Sequence, residues 1–79
     1  MWHKCKDGMP KNDGAYWVAK KFGKHILYDR CMFALNIGER TLDDEYDGVS
    51  GFYCSDPEWG TIVEARVAAW QEIEEYDDT

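Results

Sequence analysis

Apolar and polar positions alternate along the chain in short blocks separated by glycine-bearing breaks. Ala15-Tyr16-Trp17-Val18-Ala19 is rich in strand formers. Phe22-Gly23 reads as a tight reversal, and Lys24-His25-Ile26-Leu27-Tyr28 opens a second apolar run. Residues 15–32 therefore predict a β-hairpin. A turn closed between Lys20 and His25 would set Tyr16 opposite Asp29 and Gly14 opposite Cys31. Upstream, Asp7-Gly8-Met9-Pro10 and Lys11-Asn12-Asp13-Gly14 carry two turn signals, which makes 7–14 a loop. Downstream, Asn36 to Ser50 is polar and holds Gly38 and Gly48. So long a connection in a small domain is expected to be mobile, functional or both. Gly51-Phe52-Tyr53-Cys54 predicts a short strand, and Ser55-Asp56-Pro57-Glu58 a turn or a helix start.

Residues 59–73 support two readings. Trp59, Val63, Val67, Trp70 and Ile73 fall at helical spacing, with Asp56 and Pro57 as N-cap and first helical residue. Against this, Gly60-Thr61-Ile62-Val63 favours extended structure. Propensity alone slightly favours the helix for this stretch. The fold class expected is α+β or mostly β: a small antiparallel sheet built on the central hairpin, with one C-terminal helix as the alternative to a last strand.

Length limits the architecture. The chain has 79 residues, enough for one domain with a thin core. Aromatic residues make up 15%, which excludes wholly disordered behaviour. The longest apolar run falls far short of the roughly 18 residues of a transmembrane helix. The start Met-Trp-His-Lys-Cys lacks the apolar stretch of a signal peptide, so a cytoplasmic location is expected.

The formal net charge is −7, and it is unevenly placed. Residues 1–30 hold seven basic and three acidic residues, whereas 31–79 hold two basic and thirteen acidic. The acid concentrates in 43–47 and in the tail from 74 to 79. Either these are solvated segments, or they form a negative surface that docks on a basic partner. Overall acidity counts against direct nucleic-acid binding.

The order of motifs is informative. Trp2 stands near the start; Met9-Pro10 with Asp13-Gly14 precedes Tyr16-Trp17-Val18; Gly51-Phe52-Tyr53 lies mid-chain; and Val67-Ala68-Ala69-Trp70-Gln71-Glu72-Ile73 lies near the end. This order resembles a widespread group of small phage and prophage proteins of unknown function. In that group a leading Trp, a Leu-Pro-x-x-Asp-Gly-x-Tyr-x-Val stretch, a Gly-Phe-Tyr strand and a closing Val-x-x-Trp-x-x-Leu-Pro strand recur. The present chain departs from it at Glu74, where Pro is usual, and in carrying three Cys. The resemblance implies a mobile-element origin and a compact sheet. It transfers no catalytic residue. The simplest reading of Trp2, Tyr16, Val18, Phe52 and Trp70 is core packing.

Three Cys and two His are candidate metal ligands: His3, Cys5, His25, Cys31 and Cys54. An odd Cys count and a cytoplasmic setting disfavour a disulfide framework. No Cys-x-x-Cys pair is present, but the expected hairpin and the closure of the long loop bring Cys31 and Cys54 toward one end of the sheet. The i, i+2 spacing of His3 and Cys5 puts both on one side of an extended segment. A structural zinc held by His3, Cys5, Cys31 and Cys54 is thus expected, with His25 in reserve. The ordinary alternative is that Cys31 and Cys54 are small core residues. Asp43-x-Glu45-x-Asp47-Gly48 imitates the start of a calcium loop, but the twelfth position is Cys54, where Glu is needed. No phosphate loop or activated nucleophile is present, so an enzyme is not expected.

Two functions follow from these features. The first is a non-enzymatic inhibitor or interaction protein that lays an acidic surface on a basic host protein. Asp43, Asp44, Glu45, Asp47, Glu74, Glu75 and Asp77 would supply charge, and Tyr46, Trp59 and Tyr76 would supply aromatic anchors. By type it is similar to the small acidic anti-CRISPR proteins, whose target is the effector nuclease. The alternative is a small zinc-binding accessory domain with no inhibitory role.

Overall fold

The computed structural model describes residues 1–74. Six strands form one antiparallel sheet: β1 (His3–Lys4), β2 (Gly14–Phe22), β3 (His25–Ala34), β4 (Gly51–Asp56), β5 (Gly60–Val63) and β6 (Val67–Glu72). Their spatial order is β1-β6-β2-β3-β4-β5. The chain is thus a small, mostly β protein. Between 59 and 73 it forms strands and no helix. Gly60, at φ 78°, takes a conformation that side-chain-bearing residues seldom adopt. The Asp56 carboxylate accepts from the backbone N–H of Glu58 at 2.8 Å and of Trp59 at 3.0 Å. That is the local chemistry of an N-cap, used here to close the β4–β5 turn.

The β2–β3 register runs from Phe22↔His25 to Gly14↔Phe33, with Tyr16 opposite Cys31. It is shifted by two residues from the expected pairing. Gly23, at φ 62°, makes a two-residue loop with Lys24, so the strands pair up to the turn itself.

Chain connectivity forces the sheet to curl. In a flat sheet β5 and β6 would stand four strand spacings apart, roughly 19 Å. The link from Val63 to Val67 spans at most about 14 Å. Glu64–Arg66 can bridge β5 to β6 only if the sheet bends around its inner face. Lys20 confirms this: its Nζ lies 3.4 Å from Glu64 Oε1 and 3.3 Å from Asp29 Oδ2.

The inner face holds the core cluster Tyr16, Val18, Cys31, Phe33, Phe52 and Trp70, with Cys5 and Val67 packed against it. Tyr16 stands edge-on to Trp70, Phe33 and Phe52. Its hydroxyl donates to Asn12 O at 2.8 Å, and Trp70 Nε1 donates to Gly8 O at 3.0 Å. These two polar tips hold the loop before β2 across the core, where Pro10 is buried. Ile26 and Leu27 are exposed and take no part in that core, because the register puts them beside the hairpin turn, opposite Lys21 and Lys20. Trp2 is also outside it, on the opposite face of the sheet.

The segment from Asn36 to Ser50 is built, not loose. Asn36 caps a short helix, α1 (Ile37–Thr41), by accepting from Glu39 N, and its side-chain oxygen also accepts from Gly48 N at 2.9 Å. A 3-10 turn, Asp44–Tyr46, follows. Ile37 packs with Ala34, Tyr53 and Tyr46 in a second cluster on the outer face. Gly38 lies so close to the Tyr46–Asp47 backbone that a Cβ there would fall 2.5 Å from Asp47 N.

Candidate functional site

The most distinctive charged surface lies at β4, β5 and the helical segment beside them. Seven acidic residues and one basic residue occur between 39 and 58. Asp44, Glu45, Asp47 and Glu58 are exposed. Leu42 and Trp59 stand among them at 89% and 77% exposure. Leu42 closes α1 in the left-handed region, at φ 59°, which turns the chain outward there. Leu42, Asp43, Asp44 and Glu45 share one shallow depression with Ser55, Gly60 and Thr61, so the two halves of the surface are contiguous. The Tyr46 hydroxyl donates to Thr61 O at 3.4 Å and fastens the helical segment to β5.

Two of the expected contact residues, Tyr46 and Asp43, have structural work instead, as does Asp56 beside them. Tyr46 is half-buried in the second cluster and is not a free anchor. Asp43 caps the 3-10 turn, its carboxylate accepting from Glu45 N at 3.2 Å. The Asp56 carboxyl is held below its usual range by the N–H groups of Trp59 and Glu58. Glu74 is exposed. Glu75, Tyr76 and Asp77 lie outside the described residues.

The five candidate metal ligands occupy three places. Cys31 and Cys54 face inward on neighbouring strands, one step beyond the Met32↔Tyr53 pair. The Cys31 thiol donates to Tyr53 O at 3.4 Å, and the Cys54 thiol lies 3.6 Å from Glu64 Oε1. His3 lies on the sheet edge, stacked on Trp70 with centroids 4.4 Å apart and its Nε2 3.4 Å from Glu72 Oε2. Cys5 follows it in a 3-10 turn, and His25 sits exposed at the hairpin turn. Strands β6 and β2 separate β1 from β3. Among the described residues no group of three or more His, Cys, Asp or Glu is arranged to hold a metal ion. Burial pushes the Cys31 thiol up to about 11, with the Glu64 charge adding to the shift, and burial also raises Cys5 and Cys54. These are protonated, weakly nucleophilic thiols at neutral pH.

No helix among the described residues is long and apolar enough to cross a membrane. Comparison of the chain with protein-family models, curated proteins and solved structures finds no match.

Sequence reasoning missed two features. One was the helical segment, which the Asn36-x-x-Glu39 spacing signals as a cap. The other was the outer face of β2 and β3. The alternation Trp17-x-Ala19-x-Lys21 with Ile26-x-Tyr28-x-Arg30-x-Met32 carries it, and it becomes legible once the register aligns the two series.

Proposed function

We propose that this chain is a non-enzymatic docking protein of phage origin that covers a basic surface of a host protein and inhibits it. The supporting observation is the acidic edge. Asp44, Glu45, Asp47 and Glu58 are exposed there, and so are two apolar side chains, Leu42 and Trp59. Protein interfaces concentrate their binding energy in such aromatic anchors, while surrounding charge sets partner choice and encounter rate. A basic surface that ordinarily holds nucleic acid is the natural complement, and a CRISPR effector nuclease is the target class. The decisive test is DNA cleavage by a purified effector nuclease with increasing amounts of the chain, repeated across a salt series. Inhibition that weakens with salt supports the reading. Undiminished cleavage at a large molar excess of the chain removes the nuclease as target.

The zinc-domain reading keeps one observation in its favour, the adjacency of Cys31 and Cys54 on the inner face. Completing a four-ligand set would require His3 and Cys5 to cross the positions of Trp70 and Val18.

A further inference from the structure

The three carboxylates carried on strands, Asp29, Asp56 and Glu72, all occupy inward positions. The outward positions of the six strands therefore carry none, in a protein of net charge −7. Those positions instead present Trp17, Tyr28, Lys4, Lys21 and Arg30, joined by Trp2. The register fixes their layout. Trp17 pairs with Arg30, and Lys4, Ala69, Ala19 and Tyr28 form one continuous row across β1, β6, β2 and β3. Trp2 reaches over the two alanines to Tyr28, with ring centroids 5.7 Å apart. The result is a shallow, mainly apolar slot of about 580 Å³, floored by Ala19 and Ala69, walled by Trp2 and Tyr28, and edged by Lys4 and Lys6. Trp17 and Tyr28 are 42% and 66% exposed. Among the described residues, Lys4, Lys6, Lys21 and Arg30 pair with no carboxylate.

We propose that this outer face of β1, β6, β2 and β3 is a binding platform for single-stranded nucleic acid. Flat rings on a sheet face stack unpaired bases, and the interleaved cations follow the phosphates. The small floor residues leave the aromatic faces unobstructed. Charge decides against the other occupants. A second copy laid platform to platform would bring two sets of cations, Lys4, Lys21 and Arg30, together with no carboxylate from the strands between them. Duplex DNA offers no free base to the rings. The acidic edge occupies the β4–β5 side of the molecule and reaches β3 only at Ala34, whereas the rings and cations lie on β1, β6, β2 and β3 up to Arg30, so each can be tested by its own variants. Four of the seven basic residues of 1–30 lie on or beside this face, and net acidity does not oppose it, because the strand carboxylates occupy inward positions and the acidic helical segment packs over Ala34 and Tyr53, at the β4 side of the outer face.

The test is fluorescence anisotropy of a labelled fifteen-residue oligothymidylate at low salt, with tryptophan emission recorded in parallel. Saturable binding is expected, with quenching of tryptophan and at least a tenfold loss of affinity at about 0.3 M salt. Trp17→Ala and Tyr28→Ala should each weaken binding by about fivefold or more. Arg30→Glu should also weaken it, and circular dichroism checks that each variant is folded. Asp44→Lys with Glu45→Lys should leave it undiminished, which separates this site from the acidic edge. Absence of binding at about 100 µM chain, far beyond the range of a functional strand binder, would overturn the proposal. So would equal affinity for a polyglutamate peptide, which would identify the face as a site for acidic protein, and so would unchanged binding by both ring variants and Arg30→Glu.

Discussion

Lys20 and Glu64 meet at 3.4 Å inside the curl of the sheet, one on β2 and the other on the link from β5 to β6. The lysine is 9% exposed and is shared with Asp29. Burial alone would pull its ammonium down, but the Glu64 and Asp29 carboxylates outweigh that and hold it above its ordinary value. The pair therefore fixes where the crossing chain lies over β2. Glu64→Gln should lower stability by about 1–2 kcal/mol, since Lys20 keeps one partner and Glu64 is partly solvated. Because the folded-state value of Lys20 is raised, its stabilising contribution is complete below the ordinary lysine range of about pH 10 and is lost as pH rises from there through the higher folded-state value. Urea titrations at pH 7 and at about pH 11 should thus show the gap between parent and variant closing.

Gly38 makes a second prediction. A Cβ at this position would sit 2.5 Å from Asp47 N and 2.8 Å from Tyr46 C, both backbone atoms that cannot swing aside. Gly38→Ala should therefore push α1 away from the 3-10 turn and cost about 1–3 kcal/mol, although alanine is the better helix former. Increased hydrogen exchange confined to 37–49 would show that the damage is local. A variant as stable as the parent would mean that the two helical turns do not pack so closely.

How much of this was legible in the sequence depends on which interactions decide each element. The strands around Tyr16 and Phe52 are local, and their β-formers and glycines announce them. The register of the hairpin rests on one glycine conformation at Gly23, and a two-residue error there moves Cys31 from Gly14 to Tyr16. The stretch 59–73 was ambiguous for a physical reason. Asp56-Pro57 serves a turn as readily as a helix start, and apolar residues on two separate strands can imitate a helical stripe. The acidic residues were visible, but not that Asp43 and Tyr46 are committed to capping and packing. The outer face depends on strand order, with β6 between β1 and β2, and no local pattern encodes that.

The thiols provide a third prediction. Burial raises all three, Cys31 to about 11. In Ellman titration of the native protein near pH 8, Cys31 should react last, and only as fast as the sheet opens. Cys31→Ser should remain folded but lose stability, because the hydroxyl replaces a thiol buried among Tyr16, Phe33 and Phe52. Elemental analysis of the same preparation, purified without a nickel column, decides the zinc reading. One equivalent of zinc would require Cys5 and His3 to join Cys31 and Cys54, and would protect all three thiols together.

The acidic edge gives the last prediction, and the structure determines which residues can be changed. Reversing Asp43 would remove the acceptor for Glu45 N and cost about 0.5–2 kcal/mol of cap stability. Lost binding in such a variant would then mix two causes. Asp47 is also engaged, accepting from Asn36 Nδ2 at 3.3 Å. Asp44, Glu45 and Glu58 are exposed and make no side-chain hydrogen bond among the described residues, so their reversal to Lys should leave the melting curve within about 0.5 kcal/mol of the parent. Against a basic partner, three reversed charges replace attraction by repulsion. The association rate should fall by at least tenfold at low salt, and the difference from the parent should shrink as salt rises. Trp59→Ala should behave differently, raising the dissociation rate with little change in salt dependence, because its contribution is burial of a ring that is 77% exposed in the free chain. Surface plasmon resonance with both variants separates the two contributions. If the triple reversal inhibits the partner as well as the parent does, the docking surface lies elsewhere and the acidic edge serves only solubility.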